Sequence, residues 1–203
     1  EAITRRLAAD LAMPRFTPEI FASSGISGVG MHSDYHLNLN LLLSGEKEWM
    51  YAKNTNIVNQ TSICLPNGVK QVDSTQLKYV NGELPSSMPS SAKKVTQKPG
   101  DLMFVPRGWW HTTRSIGNCL SLNFIFKKPT WARLFTLVLE QELLMDPRWR
   151  EYPHGVNSHN VPRLESAMAV LEKLIDSYKE KLDAENAGGM ARKVIDRYLE
   201  ENQ

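Results

Sequence analysis

Three residues of the sequence have the types and spacing of a metal-ligand set. His32 and Asp34 lie two positions apart in one run, and His111 lies far downstream behind a Val-Pro-Arg-Gly-Trp-Trp segment. Two neutral imidazoles and one carboxylate can occupy one face of Fe(II) and leave the remaining positions open for other ligands. A lone His-x-Asp pattern is common in unrelated proteins, so the distant histidine is what makes the pattern informative.

The segment that carries His32 and Asp34 predicts a β-strand with two unlike faces, because polar residues alternate with leucines. The even positions are His32, Asp34, His36, Asn38 and Asn40, and the odd positions from 37 to 43 are all leucine. One interpretation is an ordinary edge strand whose polar face meets water. Such a face usually carries Lys, Glu, Thr or Ser, whereas this one carries short groups suited to metal ligation and hydrogen bonding. This choice of residues favours a metal.

The rest of the chain predicts a β domain followed by helices. A short helix is expected over residues 2–12, and residues 15–30 are expected to be irregular. Ser44-Gly45-Glu46 predicts a hairpin turn. Residues 85–94 predict a mobile surface loop, and the longer loop 83–99 is a candidate for excluding water from the site or admitting substrate. Short strands then follow up to Phe126. This order predicts a β barrel or sandwich.

After Lys128 the apolar spacing changes to the helical period. Thr130 can cap a helix that ends near Met145, and a second helix follows Pro162. The second helix carries a narrow apolar seam from Leu164 to Leu182, which suits packing against another helix. We therefore expect residues 1–128 to form the catalytic domain and residues 129–203 to form a helical segment for packing or dimerisation.

Composition limits the classes of function. The chain has 203 residues, with 24 basic and 22 acidic residues and a formal net charge of +2, which gives no reason to expect a nucleic-acid or membrane partner. Only Cys64 and Cys119 are cysteines, too few for a disulfide scaffold, so we expect a cytoplasmic location, with the nucleus left open. The first residue is Glu rather than Met, so we expect some N-terminal sequence to be missing.

Four segments of the chain resemble one enzyme family. They are Met31-His32-Ser33-Asp34, Leu43 to Trp49, Gly100 to His111, and Leu122-Asn123-Phe124. Together they are similar to the JmjC/cupin-8 branch of the Fe(II)- and 2-oxoglutarate-dependent oxygenases, and to its protein hydroxylases in particular. The resemblance implies a double-stranded β-helix, that is, a cupin or jelly-roll barrel. It also implies that His32, Asp34 and His111 bind Fe(II) and form the catalytic centre.

The resemblance further implies a site for 2-oxoglutarate as co-substrate. Lys47 would pair with the distal carboxylate, and Asn38 and Asn123 would contact the co-substrate elsewhere. A single ammonium at the closed end of a barrel would neutralise a carboxylate that is otherwise costly to bury. Val29 departs from the family, which usually has Ser or Thr at that position. Either Ser27 or an upstream aromatic residue is a candidate to replace it.

The implied function is hydroxylation of a peptide or protein side chain, or of an amino-acid-derived small molecule, with release of succinate and CO₂. Trp109 and Trp110 are candidates for excluding water from the pocket. Two alternatives remain open: a non-oxidative metal cupin such as an isomerase or epimerase, and a metal-free JmjC-like module for protein interaction. The first typically carries His-x-His followed by Glu rather than His-x-Asp. The family resemblance also leads us to expect a homodimer formed through the C-terminal helices.

Overall fold

The computed structural model describes residues 5, 6, 10, 17–66, 73–156 and 161–201. The helix predicted over residues 2–12 lies mostly outside this part of the chain. The chain divides into two compact units, Glu1–Lys128 and Pro129–Gln203. All the strands described below belong to the first unit.

Two long antiparallel strands form the centre of the first unit, and four short strands flank them. The strands are β1 (Thr17–Ser23), β2 (Ile26–Ser33), β3 (Leu37–Ala52), β4 (Lys93–Gln97), β5 (Leu102–Val105) and β6 (Trp110–Phe126). The long strands β3 and β6 have 16 and 17 residues and pair with each other from end to end. A four-residue helix, α1 (Ser74–Leu77), lies in the connection between β3 and β4.

Each half of the long pair has its own flanking strands. At one end β1 pairs with β6 and β5 pairs with β3, and at the other end β2 pairs with β6 and β4 pairs with β3. Two four-stranded ladders, β1-β6-β3-β5 and β2-β6-β3-β4, therefore share the two long strands. This is the expected double-stranded β-helix, and the prediction of a mainly β cupin fold with C-terminal helices is confirmed.

The prediction of a hairpin turn at Ser44-Gly45-Glu46 is wrong. The chain continues through these residues as one strand, and the pairing with β6 shifts register there, which is the signature of a β-bulge. Gly45 has φ +84°, and a Cβ at this position would overlap the backbone oxygen of Asn118. A bulge and a turn both use glycine at positive φ, so this sequence signal does not distinguish them.

The prediction that residues 15–30 are irregular is also wrong, since they contain β1 and most of β2. These edge strands leave several apolar side chains exposed, among them Ile20 and Ile26. Because the apolar residues do not alternate between a buried and a wetted face, the period-two signal of a strand is weak here.

The loop before β4 packs on the protein rather than standing free of it. Leu84, Met88 and Ala92 contact a buried cluster that includes Trp110. The predicted loop 83–99 also contains the whole of β4. Its apolar residues therefore have a structural role in anchoring the segment.

The described residues of the second unit form three α-helices and a 3₁₀ turn. They are α2 (Trp131–Leu144), the turn Pro147–Arg150, α3 (Val161–Ala184) and α4 (Ala187–Glu201). Thr130 caps α2 as predicted, with its hydroxyl oxygen accepting a hydrogen bond from the backbone N–H of Arg133 at 3.1 Å. The seam residues Leu164, Met168, Leu171 and Ile175 of α3 are 37–54 % exposed, and dimerisation through them stays a prediction. Within the described part of the chain, no helix is both long enough and apolar enough to cross a membrane.

The bulge at Gly45 gives a stability prediction with a matched control. Gly45→Ala combines an unfavourable positive φ with steric overlap, and should lower the free energy of unfolding by about 3 kcal/mol. Gly117→Ala, on β6, has positive φ but open space around the added Cβ, and should lower it by only about 1 kcal/mol. Urea unfolding of both variants measures the difference. Equal losses would contradict a role for the close approach at Gly45.

Candidate metal centre

The structure brings the three predicted metal ligands together. The register of β2 against β6 places His32 opposite His111, and the two rings lie 4.1 Å apart between centroids. Asp34 follows the end of β2, with its Oδ2 atom 3.8 Å from His32 Nε2 and 3.5 Å from His111 Nε2. All three side chains are buried, and one ligand atom from each lies within 4.8 Å of the others. A single metal ion can bridge atoms at this spacing.

Backbone carbonyl groups fix the tautomer of both histidines. His32 Nδ1 lies 2.8 Å from the carbonyl oxygen of Gly30, and His111 Nδ1 lies 3.0 Å from that of Trp109. A carbonyl oxygen only accepts hydrogen bonds, so each Nδ1 must carry the hydrogen. Each Nε2 then has a free lone pair on the side near Asp34. This orientation by backbone acceptors is typical of histidines that bind metals, so the donor set fits a metal ion.

The protonation state of His111 also suits a ligand. Burial, together with the nearby His32 ring, lowers the pKa of His111 to about 4. The imidazole is therefore neutral at physiological pH, which is the form that binds a metal.

Asp34 is held through both its side chain and its backbone. Asn38 Nδ2 donates a hydrogen bond to Asp34 Oδ2 at 2.6 Å. The backbone oxygen of Asp34 accepts one from the N–H of Gly108 at 2.8 Å, close in sequence to His111. Asn38 was predicted as a co-substrate contact, and in the structure its amide binds this carboxylate.

A third imidazole, that of His36, lies on the other side of Asp34. His36 Nε2 is 3.7 Å from Asp34 Oδ2, and burial lowers the pKa of His36. Among the described residues, the ligand atoms of the three candidate ligands all lie within 4.8 Å of one another, and His36 does not belong to this group. It lines the cavity described next, so it is a neighbour of the metal centre rather than a member of it.

The candidate ligands open onto a cavity of about 360 Å³ inside the first unit. All the residues predicted to bind the co-substrate, Lys47, Asn38 and Asn123, lie in its wall. Asn123 Nδ2 donates to Asn38 Oδ1 at 3.3 Å. The folded chain thus gathers the metal-ligand candidates and the predicted co-substrate residues at one site.

Lys47 is buried in the cavity wall, and no carboxylate of the described residues forms an ion pair with it. Its side chain reaches Ser121, whose hydroxyl oxygen lies 3.2 Å from the Nζ atom, and only 7 % of the residue is exposed. The Phe21 and Trp49 rings flank the Nζ atom, with centroids at 5.5 and 5.3 Å. None of the ion pairs found among the described residues includes Lys47.

A buried ammonium with no carboxylate beside it is costly to maintain. Burial accordingly lowers the pKa of Lys47, since it disfavours the charged form. Close by on β3, the Oδ1 atom of Asn40 is also buried and has no hydrogen-bond partner among the described residues. The Lys47 ammonium therefore suits a ligand with a negative charge, whereas the Asn40 Oδ1 atom can only accept a hydrogen bond from a donor group.

Several residues of the site were not identified from the sequence. Trp49 and Thr113 each lie two positions after a predicted site residue on the same strand, and that spacing could have placed them on the same face. Phe21 had no such signal, because its strand was predicted to be irregular. Ser121 contacts Lys47 because the two ladders face each other. Spacing along the sequence does not reveal which residues of the two ladders meet.

At the position where the family usually has Ser or Thr, the cavity wall is formed by Val29 and Thr113. The two residues are opposite each other in the β2–β6 pairing, and the Val29 N–H donates to Thr113 Oγ1 at 3.2 Å. A hydroxyl group is therefore present at this wall, but it comes from β6 rather than from Ser27. Phe21 is an upstream aromatic residue in the same cavity, and its ring lies near Lys47.

The expectation that Trp109 and Trp110 form the pocket wall needs correction. Trp110 is 1 % exposed and packs in a core cluster with Ala52, Ile57 and Cys64. The Trp109 ring lies 6.1 Å from that of Tyr51. Neighbours of His111 along a strand point to the opposite face, so Trp110 packs behind the site.

The chain belongs to the cupin-like domain family. The sequence profile of that family matches residues 10–130, which is more than half of the chain. The match contains every candidate metal ligand and every predicted co-substrate residue.

One curated protein is similar in sequence over most of this chain. The uncharacterized protein YxbC of Bacillus subtilis (strain 168) is 31 % identical over 182 residues, which cover 88 % of this chain and 55 % of YxbC. The chain thus spans about half the length of this curated relative.

Two solved structures are similar in part. The ribosomal oxygenase YcfD of Escherichia coli, in complex with cobalt and succinic acid, has a TM-score of 0.46 and 19 % identity, covering 87 % of this chain and 42 % of that one. A hydroquinone 1,2-dioxygenase from Sphingomonas sp. TTNP3 with 4-hydroxybenzoate bound has a TM-score of 0.36 and 16 % identity, covering 56 % and 60 %. These similarities are too distant to assign an activity.

The candidate ligands predict a specific pattern of metal affinity. His111→Ala should weaken Co(II) binding by more than the roughly 10–100-fold that is typical of losing a ligand's hydrogen-bond partner. His36→Gln is the matched control, because its imidazole is equally close to Asp34 but lies outside the ligand group. It should weaken binding far less. Titration calorimetry with Co(II) measures both, and equal losses would contradict the assignment of His111 as a ligand.

The lowered pKa of His111 predicts a pH dependence for the metal-free protein. Between about pH 6.5 and pH 4 the unfolded chain protonates this imidazole, whereas burial keeps it neutral in the folded state. Protons therefore favour unfolding, and the free energy of unfolding should fall as the pH falls through this interval. Urea unfolding in EDTA measures it. His111→Asn should show a shallower dependence, and identical dependences would exclude His111 as a source of the effect.

Proposed function

We propose that the protein is an Fe(II)- and 2-oxoglutarate-dependent oxygenase that hydroxylates a peptide or protein side chain, or an amino-acid-derived small molecule. One observation carries the proposal. The buried ammonium of Lys47, without a carboxylate partner in the described chain, lines the same cavity as the cluster of His32, Asp34 and His111. A metal-binding group and an anion-binding group within one cavity suit a ligand that has both an oxygen chelate and a distant carboxylate.

The two ends of 2-oxoglutarate meet these requirements. Its 2-oxo acid end can chelate a metal that three protein ligands leave partly open. Its far carboxylate can form a charge-assisted hydrogen bond with Lys47, which would relieve the cost of the unpaired buried ammonium. When bound, Fe(II) would supply the oxidising chemistry by which O₂, 2-oxoglutarate and a C–H bond of the substrate are converted into succinate, CO₂ and a hydroxylated product, with one oxygen atom in succinate and the other in the new hydroxyl group.

The contribution of the chain is to bind, orient and exclude water. His32 and His111 direct their Nε2 atoms towards the metal position because backbone carbonyl groups accept hydrogen bonds from their Nδ1 atoms. Ser121 fixes the position of the Lys47 ammonium, and the rings of Phe21 and Trp49 shield it from solvent. A shielded ammonium interacts more strongly with a carboxylate than an exposed one does.

Two other functions fit less well. A non-oxidative metal cupin would account for the metal ligands but not for the buried Lys47, and the candidate ligand group in the described residues contains no glutamate. A metal-free interaction module would gain nothing from burying two histidines and a carboxylate with their donor atoms facing one another. The combination of cluster and lysine favours the oxygenase.

The first experiment is to incubate the protein with Fe(II), 2-oxoglutarate and O₂ and to measure succinate. Succinate formation should require iron and should be abolished in His32→Ala. Because the substrate to be hydroxylated is not identified, the binding of 2-oxoglutarate to the Co(II)-loaded protein is measured in parallel. Metal-loaded protein that does not bind 2-oxoglutarate would overturn the proposal.

Lys47→Met tests the co-substrate site separately from the metal. It should weaken 2-oxoglutarate binding by at least about 30-fold, because one partner of a buried charge pair is lost. Its Co(II) affinity should stay at the wild-type value. Lys127→Met is the control, since Lys127 lies in the same cavity wall but is exposed, and it should change 2-oxoglutarate affinity little. Equal effects of the two variants would contradict the role of Lys47.

A further inference from the structure

A chain of three buried side chains ends on the candidate carboxylate ligand. Asn123 Nδ2 donates to Asn38 Oδ1 at 3.3 Å, and Asn38 Nδ2 donates to Asp34 Oδ2 at 2.6 Å. The two asparagines are 9 % and 4 % exposed. The side chains come from β6, from β3 and from the turn between β2 and β3, so the chain connects three separate parts of the fold.

The chemistry of the groups fixes the direction of these hydrogen bonds. An ionised carboxylate only accepts, so Asn38 must present its NH₂ group to Asp34. The carbonyl oxygen of Asn38 then faces Asn123, which must present its own NH₂ group. Each amide group therefore has one orientation in which it forms a hydrogen bond with its neighbour. The flipped orientation would place two donors or two acceptors against each other in a buried site.

Asn38 makes the close contact to the Oδ2 atom of Asp34. The three imidazole Nε2 atoms around this oxygen, those of His32, His36 and His111, lie at 3.5–3.8 Å, which is beyond hydrogen-bonding distance. The rotation of the carboxylate is thus restrained by the amide and not by the histidines. Without that amide, no imidazole lies close enough to this oxygen to hold the carboxylate by a hydrogen bond.

We propose that Asn38 is a positioning residue that holds Asp34 in its metal-binding orientation before any co-substrate binds, and that Asn123 fixes the orientation of Asn38. The inference rests on the metal site of the proposed function but not on 2-oxoglutarate. It assigns Asn38 a role in metal affinity, whereas the sequence resemblance implied only a co-substrate contact.

The test measures Co(II) binding in the absence of 2-oxoglutarate. Asn38→Leu should weaken Co(II) binding by about 10–100-fold, the range typical of losing a hydrogen-bond partner of a ligand. The visible absorption spectrum of bound Co(II) should also change, because the carboxylate ligand is reoriented. A loss of packing alone would lower stability without altering the spectrum of the folded, metal-loaded protein.

Asn40→Leu is the matched control. Asn40 is a buried asparagine two residues further along the same strand and in the same cavity wall, but its amide group lies near Ser121 rather than a metal ligand. Its replacement should leave Co(II) affinity within about twofold of wild type, as expected for a site that shares no partner with the ligands. Thermal unfolding in EDTA establishes that each variant is folded.

Asn123→Ala provides a second, milder variant that keeps the inference testable if Asn38→Leu does not fold. It removes the donor to Asn38 but leaves the amide beside Asp34, so Co(II) binding should be weaker than in Asn40→Leu and tighter than in Asn38→Leu. Co(II) affinity as high as wild type in both Asn38→Leu and Asn123→Ala, with only 2-oxoglutarate binding reduced, would overturn the inference. If Asn38→Leu is unfolded, wild-type Co(II) affinity in Asn123→Ala alone would also overturn it.

The outcomes separate this inference from the proposed function. Wild-type protein that binds no Co(II) would overturn both. Protein that binds Co(II) but not 2-oxoglutarate would overturn the oxygenase proposal, while weaker Co(II) binding in Asn38→Leu would still support the positioning role.

Discussion

The site depends on the antiparallel register between β2 and β6. This register places His32 directly opposite His111, and the short turn after β2 then brings Asp34 to the same point. A shift of β2 by one residue would turn His32 to the opposite face of the sheet from His111, because side chains alternate along a strand. The bulge in β2 between Val29 and His32 is part of the same arrangement, since it sets the register at the ligand end of the strand. The pairing of two strands thus determines whether the chain has a metal centre.

Next to that strand pair, the fold buries a polar face. Its burial would cost free energy without a ligand. The leucines of β3 account for ordinary sheet packing, whereas its even positions place Asn38 and Asn40 inside the barrel. Some of these groups satisfy each other, as Asn38 does with Asp34. Within the described residues, the Asn40 Oδ1 atom has no hydrogen-bond partner, and the Lys47 ammonium has a neutral hydroxyl partner, Ser121, but no carboxylate. Buried polar groups without partners are rare in proteins and are concentrated where a ligand supplies the partner.

The sequence revealed the site better than the fold that forms it. Period two identified the polar face of β3, and the residue types identified the metal ligands, because both signals are local. The prediction of a single strand from His32 to Asn40 is wrong, since His32 lies on β2, Asp34 lies in the turn after it, and β3 begins only at Leu37. The continuity of β3 through Gly45 could not be read, since glycine at positive φ serves a bulge and a turn alike. Phe21 was missed because edge strands lack a clear alternation. The contact between Lys47 and Ser121 depends on how two ladders face each other, which no local spacing encodes. The contact from Asn38 to Asp34 could not be read from the predicted strand, because residues four positions apart on one strand lie about 13 Å apart. The two side chains meet because the chain turns between β2 and β3.

The central claim is that the metal centre and Lys47 serve the two ends of one ligand. The most direct measurement compares two ligands that differ only at the far end, 2-oxoglutarate and 2-oxopentanoate, by titration into Co(II)-loaded protein. We predict that wild-type protein strongly prefers 2-oxoglutarate and that Lys47→Met loses most of this preference, because the lysine and the far carboxylate form one interaction. An equal preference for 2-oxoglutarate in both proteins would contradict the claim.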